Sequence, residues 1–206
     1  MRVMVMAALL ALTGCGGGGG GGDSGGSGID PRLSRIDIYE SQRLRVLGDP
    51  GAGVMGMPMT EAGNIPTTGT ADFTGSVTIR AETSPATSVL AGDATITMDF
   101  DGAEPVTGTF GNFFGTGPDG VLRDYSGSAT ISDGSIGPGN EWSLDYSGAL
   151  IATGQSFILD GTVTGDFLGN PVTAIAGSAL EAQVNYNGTI TDAVVTVVGE
   201  GSLSAP

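Results

Sequence analysis

Residues Thr70–Ala81 read TADFTGSVTIRA, and their alternation decides the fold class. One side of an extended chain would carry Ala71, Phe73, Gly75, Val77 and Ile79. The other would carry Asp72, Thr74, Ser76, Thr78 and Arg80. Successive side chains of a β-strand point to opposite faces, so this period of two predicts a strand with one dry and one wet face. The pattern returns downstream. Residues 92–100 place Ala94, Ile96, Met98 and Phe100 on one face, and 105–114 place Val106, Gly108 and Phe110. Residues 124–132 give Tyr125, Gly127, Ala129 and Ile131; 141–150 give Trp142, Leu144, Tyr146, Gly148 and Leu150. Phe157, Leu159, Gly161, Val163, Gly165 and Phe167 follow, then a weaker strand near 174–186 and a valine-rich one over about 189–203. Turn-forming runs (FDGAEP, GPDG, SDGSIGPGNE, LGNP, NYNG) separate them.

Eight such strands predict an all-β fold: a small soluble antiparallel eight-stranded up-and-down β-barrel, closed so that no sheet edge is left open. Glycines recurring on the apolar face fit a narrow, strongly curved interior. A membrane-spanning barrel would need large apolar residues outside and aromatic girdles at both interfaces. Here the apolar face is rich in Ala and Gly, and aromatics make up 6% of the chain. The soluble barrel is the better reading.

Composition narrows function by exclusion. The 206 residues include 38 glycines, 22 acids and seven bases, all arginine, for a net charge of −15. Phosphate backbones would repel such a chain, which argues against nucleic-acid binding. It contains no histidine, which removes Ser-His-Asp and Cys-His catalysis and the commonest zinc and haem ligands. No nucleophile has an evident base, and we expect no enzyme activity and no cofactor. The pairs Asp99/Asp101 and Asp119/Asp124 sit in Asp-Gly turn contexts and read first as solvated surface. Sixteen of the acids lie from Thr70 onward against only Arg80 and Arg123.

The amino-terminal part gives an address. Arg2 followed by the apolar run Val3–Leu12 is too short for a spanning helix, which needs roughly 20 residues, and reads as a signal-peptide core over 1–14. LTGC (Leu12–Cys15) resembles the bacterial lipobox, which implies cleavage before Cys15 and its lipidation. By the same resemblance, glycine after Cys15 implies the outer membrane. Residues 15–28 then form a Gly/Ser tether. Within 29–64, a helical and irregular lead-in, residues 29–48 hold four of the seven arginines. Asp30-Pro31 reads as N-cap and first helical position, and Gly48 as the stop, although RIDIY also alternates like a strand. The helix is expected on the body's end or against a partner. GAGVMG (Gly51–Gly56) matches a dinucleotide pattern but lacks the flanking strand and helix, and GGSGID (Gly25–Asp30) matches a single calcium repeat; both read as flexible connections.

Over about residues 54–206 the chain resembles the β-barrel domains of transferrin-binding protein B and its surface-lipoprotein relatives. IPTTGTADFTG (Ile65–Gly75) is similar to their opening strand, with Phe73 where Tyr is usual. AGDATITMDF (Ala91–Phe100) is similar to the next strand, and GDFLGNPVTAIAG (Gly165–Gly177) to a degenerate later signature. The resemblance implies a lipid-anchored, surface-displayed single barrel, from 65 to 206, that captures a host protein or a small iron-containing ligand and works beside an outer-membrane receptor or exporter. The haem-binding branch uses a histidine that is absent here, and Tyr125, Tyr146 and Tyr186 are better read as packing. A structural envelope lipoprotein without a small ligand is the alternative. Binding is expected on the loops Ser84–Leu90, Phe113–Leu122 and Asp133–Asn140, with Phe113, Phe114 and Asp119 as candidate contacts and the two phenylalanines exposed.

Overall fold

A computed structural model describes residues 30–103 and 105–203. Cys15 and the other signals placed on residues 1–29 lie outside the described residues. Helix α1 spans Pro31–Leu47. The Asp30 carboxylate accepts the Arg32 N–H at 3.0 Å, Pro31 stands where no donor is needed, and Gly48 ends the helix at a φ of 72°. The helical reading of this segment therefore holds over the alternating one. Gly51–Gly56, the dinucleotide match, forms most of a small hairpin of β1 (Gly48–Asp49) and β2 (Val54–Met55). A 3-10 turn at Ala62–Asn64 leads into the barrel.

The wall is built from β3 (Thr70–Ala81), β4 (Ser88–Asp99), β5 (Val106–Thr116), β6 (Leu122–Asp124), β7 (Ser126–Ile136), β8 (Glu141–Ala152), β9 (Gln155–Leu168), β10 (Ala174–Tyr186) and β11 (Thr189–Leu203). β6 and β7 form one wall strand interrupted at Tyr125, whose N–H donates to Phe113 at 2.8 Å. All pairings are antiparallel, and β11 returns to β3 with Ala193 opposite Ala81 and Leu203 opposite Ala71. That last ladder closes an eight-stranded meander, so the sheet has no free edge along its length.

The apolar faces point inward. Phe73, Ile79, Ile96, Phe110, Trp142, Tyr146, Phe157 and Phe167 are all buried in one cluster. Asp72, Thr74, Thr95 and Thr130, on the alternate positions, are exposed. No described helix is long and apolar enough to cross a membrane. The inward glycines make room for the rings. The Trp142 indole lies over Gly165 and Gly177, and a Cβ at Gly177 would fall 2.6 Å from Trp142 Cη2. A narrow lumen therefore holds large side chains by leaving the opposite wall bare.

β5 breaks the simple alternation. Phe110 pairs with Ala94 but Phe114 with Ala91, so β5 carries one residue more than β4 across this step. Asn112 takes up the bulge at a φ of 52°, in the left-handed region. Phe110 and Phe113 consequently both face the core, whereas Phe114 faces outward.

Helix α1 lies across the outside of the wall rather than on the barrel's end, where the sequence placed it. From its start to its finish, Arg32 donates to the Leu122 carbonyl (3.3 Å), Arg35 to that of Asn112 (2.9 Å), and Gln42 to that of Thr74 (2.9 Å). Arg45 pairs with Glu200 at 2.6 Å, and Val46 packs on Leu168, Ala174 and Val198. Arg32, Arg35 and Arg45 thus spread the helix over several strands of an acidic wall, while Arg43 pairs with Glu40 within the helix.

Candidate functional site

The two mouths of the barrel differ in chemistry. At the mouth holding the β3–β4, β5–β6 and β8–β9 connections, polar side chains form a plug. The buried hydroxyls of Thr83 and Ser88 are hydrogen bonded at 2.6 Å, and Thr83 also donates to the Ala86 carbonyl at 2.7 Å. Tyr125 donates its hydroxyl proton to the buried Gln155 Oε1 at 2.6 Å. Burial is the main cause that pushes Tyr125 up to about 12, so the phenol stays a neutral donor.

The opposite mouth is open. The lead-in and the β4–β5 and β7–β8 turns surround a cavity of about 450 Å³. Ile65, Pro66, Phe100, Pro105, Ile136 and Pro138 supply apolar walls, and Phe100 rests on Phe167 with ring centroids 5.8 Å apart. Asp99 is the one ionisable side chain in the described lining. The turn holds its shape through Asp99 N–H to the Pro105 carbonyl (2.9 Å) and Phe100 N–H to Gly69 (2.9 Å). Apolar walls with one carboxylate suit a neutral or cationic group and repel an anion.

The structure separates the three loops expected to act together. Ser135–Gly139, within Asp133–Asn140, line the open mouth. Ser84–Leu90 and Phe113–Leu122 belong to the plugged end, and all three segments are partly strand, Asp133–Ile136 lying in β7. Phe113 and Phe114 are not exposed: each is 1% accessible. The bulge at Asn112 turns Phe113 into the core. Phe114, facing outward, is covered by α1, with the Arg35 guanidinium carbon 4.5 Å from its ring centroid and the Tyr39 ring stacked at 6.2 Å. Asp119 is on a surface turn, paired with Arg123 at 2.6 Å, and that pairing holds its carboxyl below the usual range. Asp124 lies 3.8 Å from Arg32, and Asp101 accepts the Gly69 N–H. Among the described residues no three His, Cys, Asp or Glu side chains gather as metal ligands.

Two features had no sequence signal. Around Asp93, the Tyr39 hydroxyl, Asn112 Nδ2 (2.7 Å) and Arg35 (3.3 Å) converge to clasp α1 to β4 and β5. Burial alone would raise the Asp93 carboxyl, but the bonds from Tyr39 and Asn112 and the charge of Arg35 leave it below 3.8. Second, β10 parts from β9 between Ser178 and Val184, leaving an outer cleft of about 730 Å³ rimmed by Asp160, Leu180 and Glu181. Beneath it the buried Tyr146 hydroxyl has no hydrogen-bond partner among the described residues, and burial, then the Asp160 charge, pushes it up to about 12. Tyr125 and Tyr146 are core residues, as the packing reading has them. No protein-family model matches this chain, and no curated protein shows significant sequence similarity to it.

Proposed function

We propose that the chain is a lipid-anchored protein of the bacterial outer membrane that holds a binding barrel in the aqueous phase and captures its ligand at the open mouth. The observation that carries this reading is the asymmetry of the two ends. Buried, mutually hydrogen-bonded polar side chains occupy one, while the other carries a cavity of about 450 Å³ whose Ile65, Phe100 and Ile136 pack on the apolar core. That volume and lining fit a small neutral or cationic molecule, or an apolar side chain presented by a protein partner. The likeness of Ile65–Gly75 to the opening strand of transferrin-binding protein B barrels supports host-factor or iron-ligand capture at a cell surface. Ile65 and Pro66 of that same stretch line the mouth.

Affinity capture from culture fluid, followed by identification of what is retained, tests the binding. Ile136→Arg places a bulky cation in the cavity without touching the plugged end, and retention should fall sharply. Unchanged retention would move the site elsewhere on the barrel. Fractionation of Cys15→Ala cells tests the anchor. Loss from the membrane is expected, and a protein still membrane-bound would refute lipid tethering through this residue.

A further inference from the structure

The wall is parted where β10 leaves β9. Between Ser178, opposite Thr164, and Val184, opposite Leu159, β10 runs five residues where β9 runs four, and the ladder between them is interrupted. β10 breaks register on its other side too: Ala179 faces Val195 and Ala182 faces Ala193, so Leu180 and Glu181 share the single Val194. A bulged strand bends, and β10 bends away from its neighbour. β9 keeps its place, because its ladder to β8 runs without a break from Gln155 to Asp166. The outer cleft of about 730 Å³ is the result.

The Tyr146 hydroxyl stands at this break. Tyr146 is directly opposite Gly161 in the β8–β9 ladder, and Gly161 lines the cleft. A Cβ built on Gly161 would lie 2.8 Å from the phenol oxygen, so the hydroxyl ends against the one residue of this β9 stretch that has no side chain. The ring itself is packed: Tyr146 is 1% accessible and its centroid lies 5.9 Å from that of Phe110. The oxygen is buried and has no hydrogen-bond partner among the described residues. A buried donor left unmade costs its desolvation, whereas phenylalanine would fill the same space without that penalty. Packing thus accounts for the ring and not for the hydroxyl. Burial first, and the Asp160 charge second, push it up to about 12, so at neutral pH it keeps its proton and is a donor.

We propose that the cleft between β9 and β10 binds an uncharged polyhydroxylated molecule, a sugar, one of whose oxygens accepts a hydrogen bond from the Tyr146 hydroxyl. The lining selects this class. The exposed carboxylates of Asp160 and Glu181 accept from ligand hydroxyls. Thr162, whose hydroxyl proton already goes to Asp145, adds a further acceptor, and Gln183 offers both a donor and an acceptor. Leu180, 66% exposed, gives a ring face an apolar contact. The described lining holds no base, so a phosphate or carboxylate would meet two like charges unanswered. It holds no aromatic ring for a flat ligand to stack on, and no three side chains gather as metal ligands among the described residues. An ammonium group would suit the carboxylates but offers the phenol no acceptor; a sugar supplies both. The hydroxyl is covered in the free protein, and a ligand oxygen reaches it between strands that the ladder does not join at this point. The cleft is on the outside of the wall and stands or falls independently of the binding proposed at the mouth.

Magnetic resonance of the full isotope-labelled chain, titrated into the millimolar range with glucose, galactose or mannose, tests the proposal. At least one hexose should shift the backbone amides of 160–164 and 178–183 and leave those of Ile65 and Ile136, at the mouth, unmoved. The phosphorylated form of the same hexose, and ethanolamine as a plain cation, should shift neither set. Tyr146→Phe removes one oxygen atom and keeps the ring. It should weaken the hexose about tenfold and raise the thermal midpoint of the free protein, because the unmade donor is gone. No shift at the cleft with any of the three hexoses, equal shifts with ethanolamine, undiminished affinity in Tyr146→Phe, or a lowered midpoint in that variant would each overturn the assignment.

Discussion

Phe114 is buried by residues the chain builds long before it. Its ring points out of the wall and is covered by Arg35 and Tyr39 of α1, so its environment is an interface between helix and barrel. Phe114→Ala removes the ring at the centre of that contact. The expected loss is about 3 kcal/mol, toward the lower end for a buried phenylalanine because the helix can partly settle. Urea unfolding measures it. Limited proteolysis within Pro31–Leu47 should accelerate in the same variant while the strands stay protected. A loss of stability with no change in helix cleavage would mean that Phe114 supports the barrel rather than the docked helix. Nothing in GNFFG announces this role. The side to which the second phenylalanine turns depends on one extra residue, Asn112, and on its left-handed backbone, which alternation counted from Val106 cannot anticipate.

At the scale of elements, the strands were the most legible part. β3, β10 and β11 span the residues whose patterning predicts them, because alternation and turn chemistry act locally and agree. The helix was legible from Asp30-Pro31 and Gly48, but its docking place was not, since it depends on acids brought together only by the closed wall. The mouth was half legible: Asp133–Asn140 reads as a loop, whereas its meeting with Ile65 and Phe100 follows from closure. The docked helix has a pH signature. Asp93 titrates below its ordinary 3.8 because its hydrogen bonds and Arg35 outweigh the burial that would raise it. A carboxyl lowered in the folded state contributes stability above its unfolded value, and that contribution is lost as pH falls through the folded value. The helix should therefore loosen below about pH 3.8. Asp93→Asn should be less stable near neutrality and show a shallower acid limb in thermal midpoint against pH. An acid limb identical to that of the unaltered protein would show that this carboxyl does not link helix docking to pH.

For the whole molecule the governing facts are closure and charge. Every arginine among the described residues already has a carboxylate partner: Arg32 with Asp30, Arg35 with Asp93, Arg43 with Glu40, Arg45 with Glu200, Arg80 with Glu82 and Arg123 with Asp119. Asp124 also lies near Arg32, and the other acids among the described residues have no basic partner. Glu141 stands directly opposite Asp166, whose carboxyl is raised by burial first and by that neighbour second. Salt acts on both populations. It weakens the exposed pairs, each worth only about 0–1 kcal/mol, and it screens repulsion summed over many acids, with a Debye length of about 10 Å at 0.1 M. Pairs in direct contact are screened less than acids separated by the wall's curvature, so the repulsive sum should lose more. Raising sodium chloride from a few millimolar to about 0.1 M should therefore raise the thermal midpoint, by about 2–4 °C for each kcal/mol of repulsion relieved. A midpoint that falls with added salt would mean that the six arginine pairs, and above all those joining α1 to the wall, outweigh the repulsion among the unpaired carboxylates.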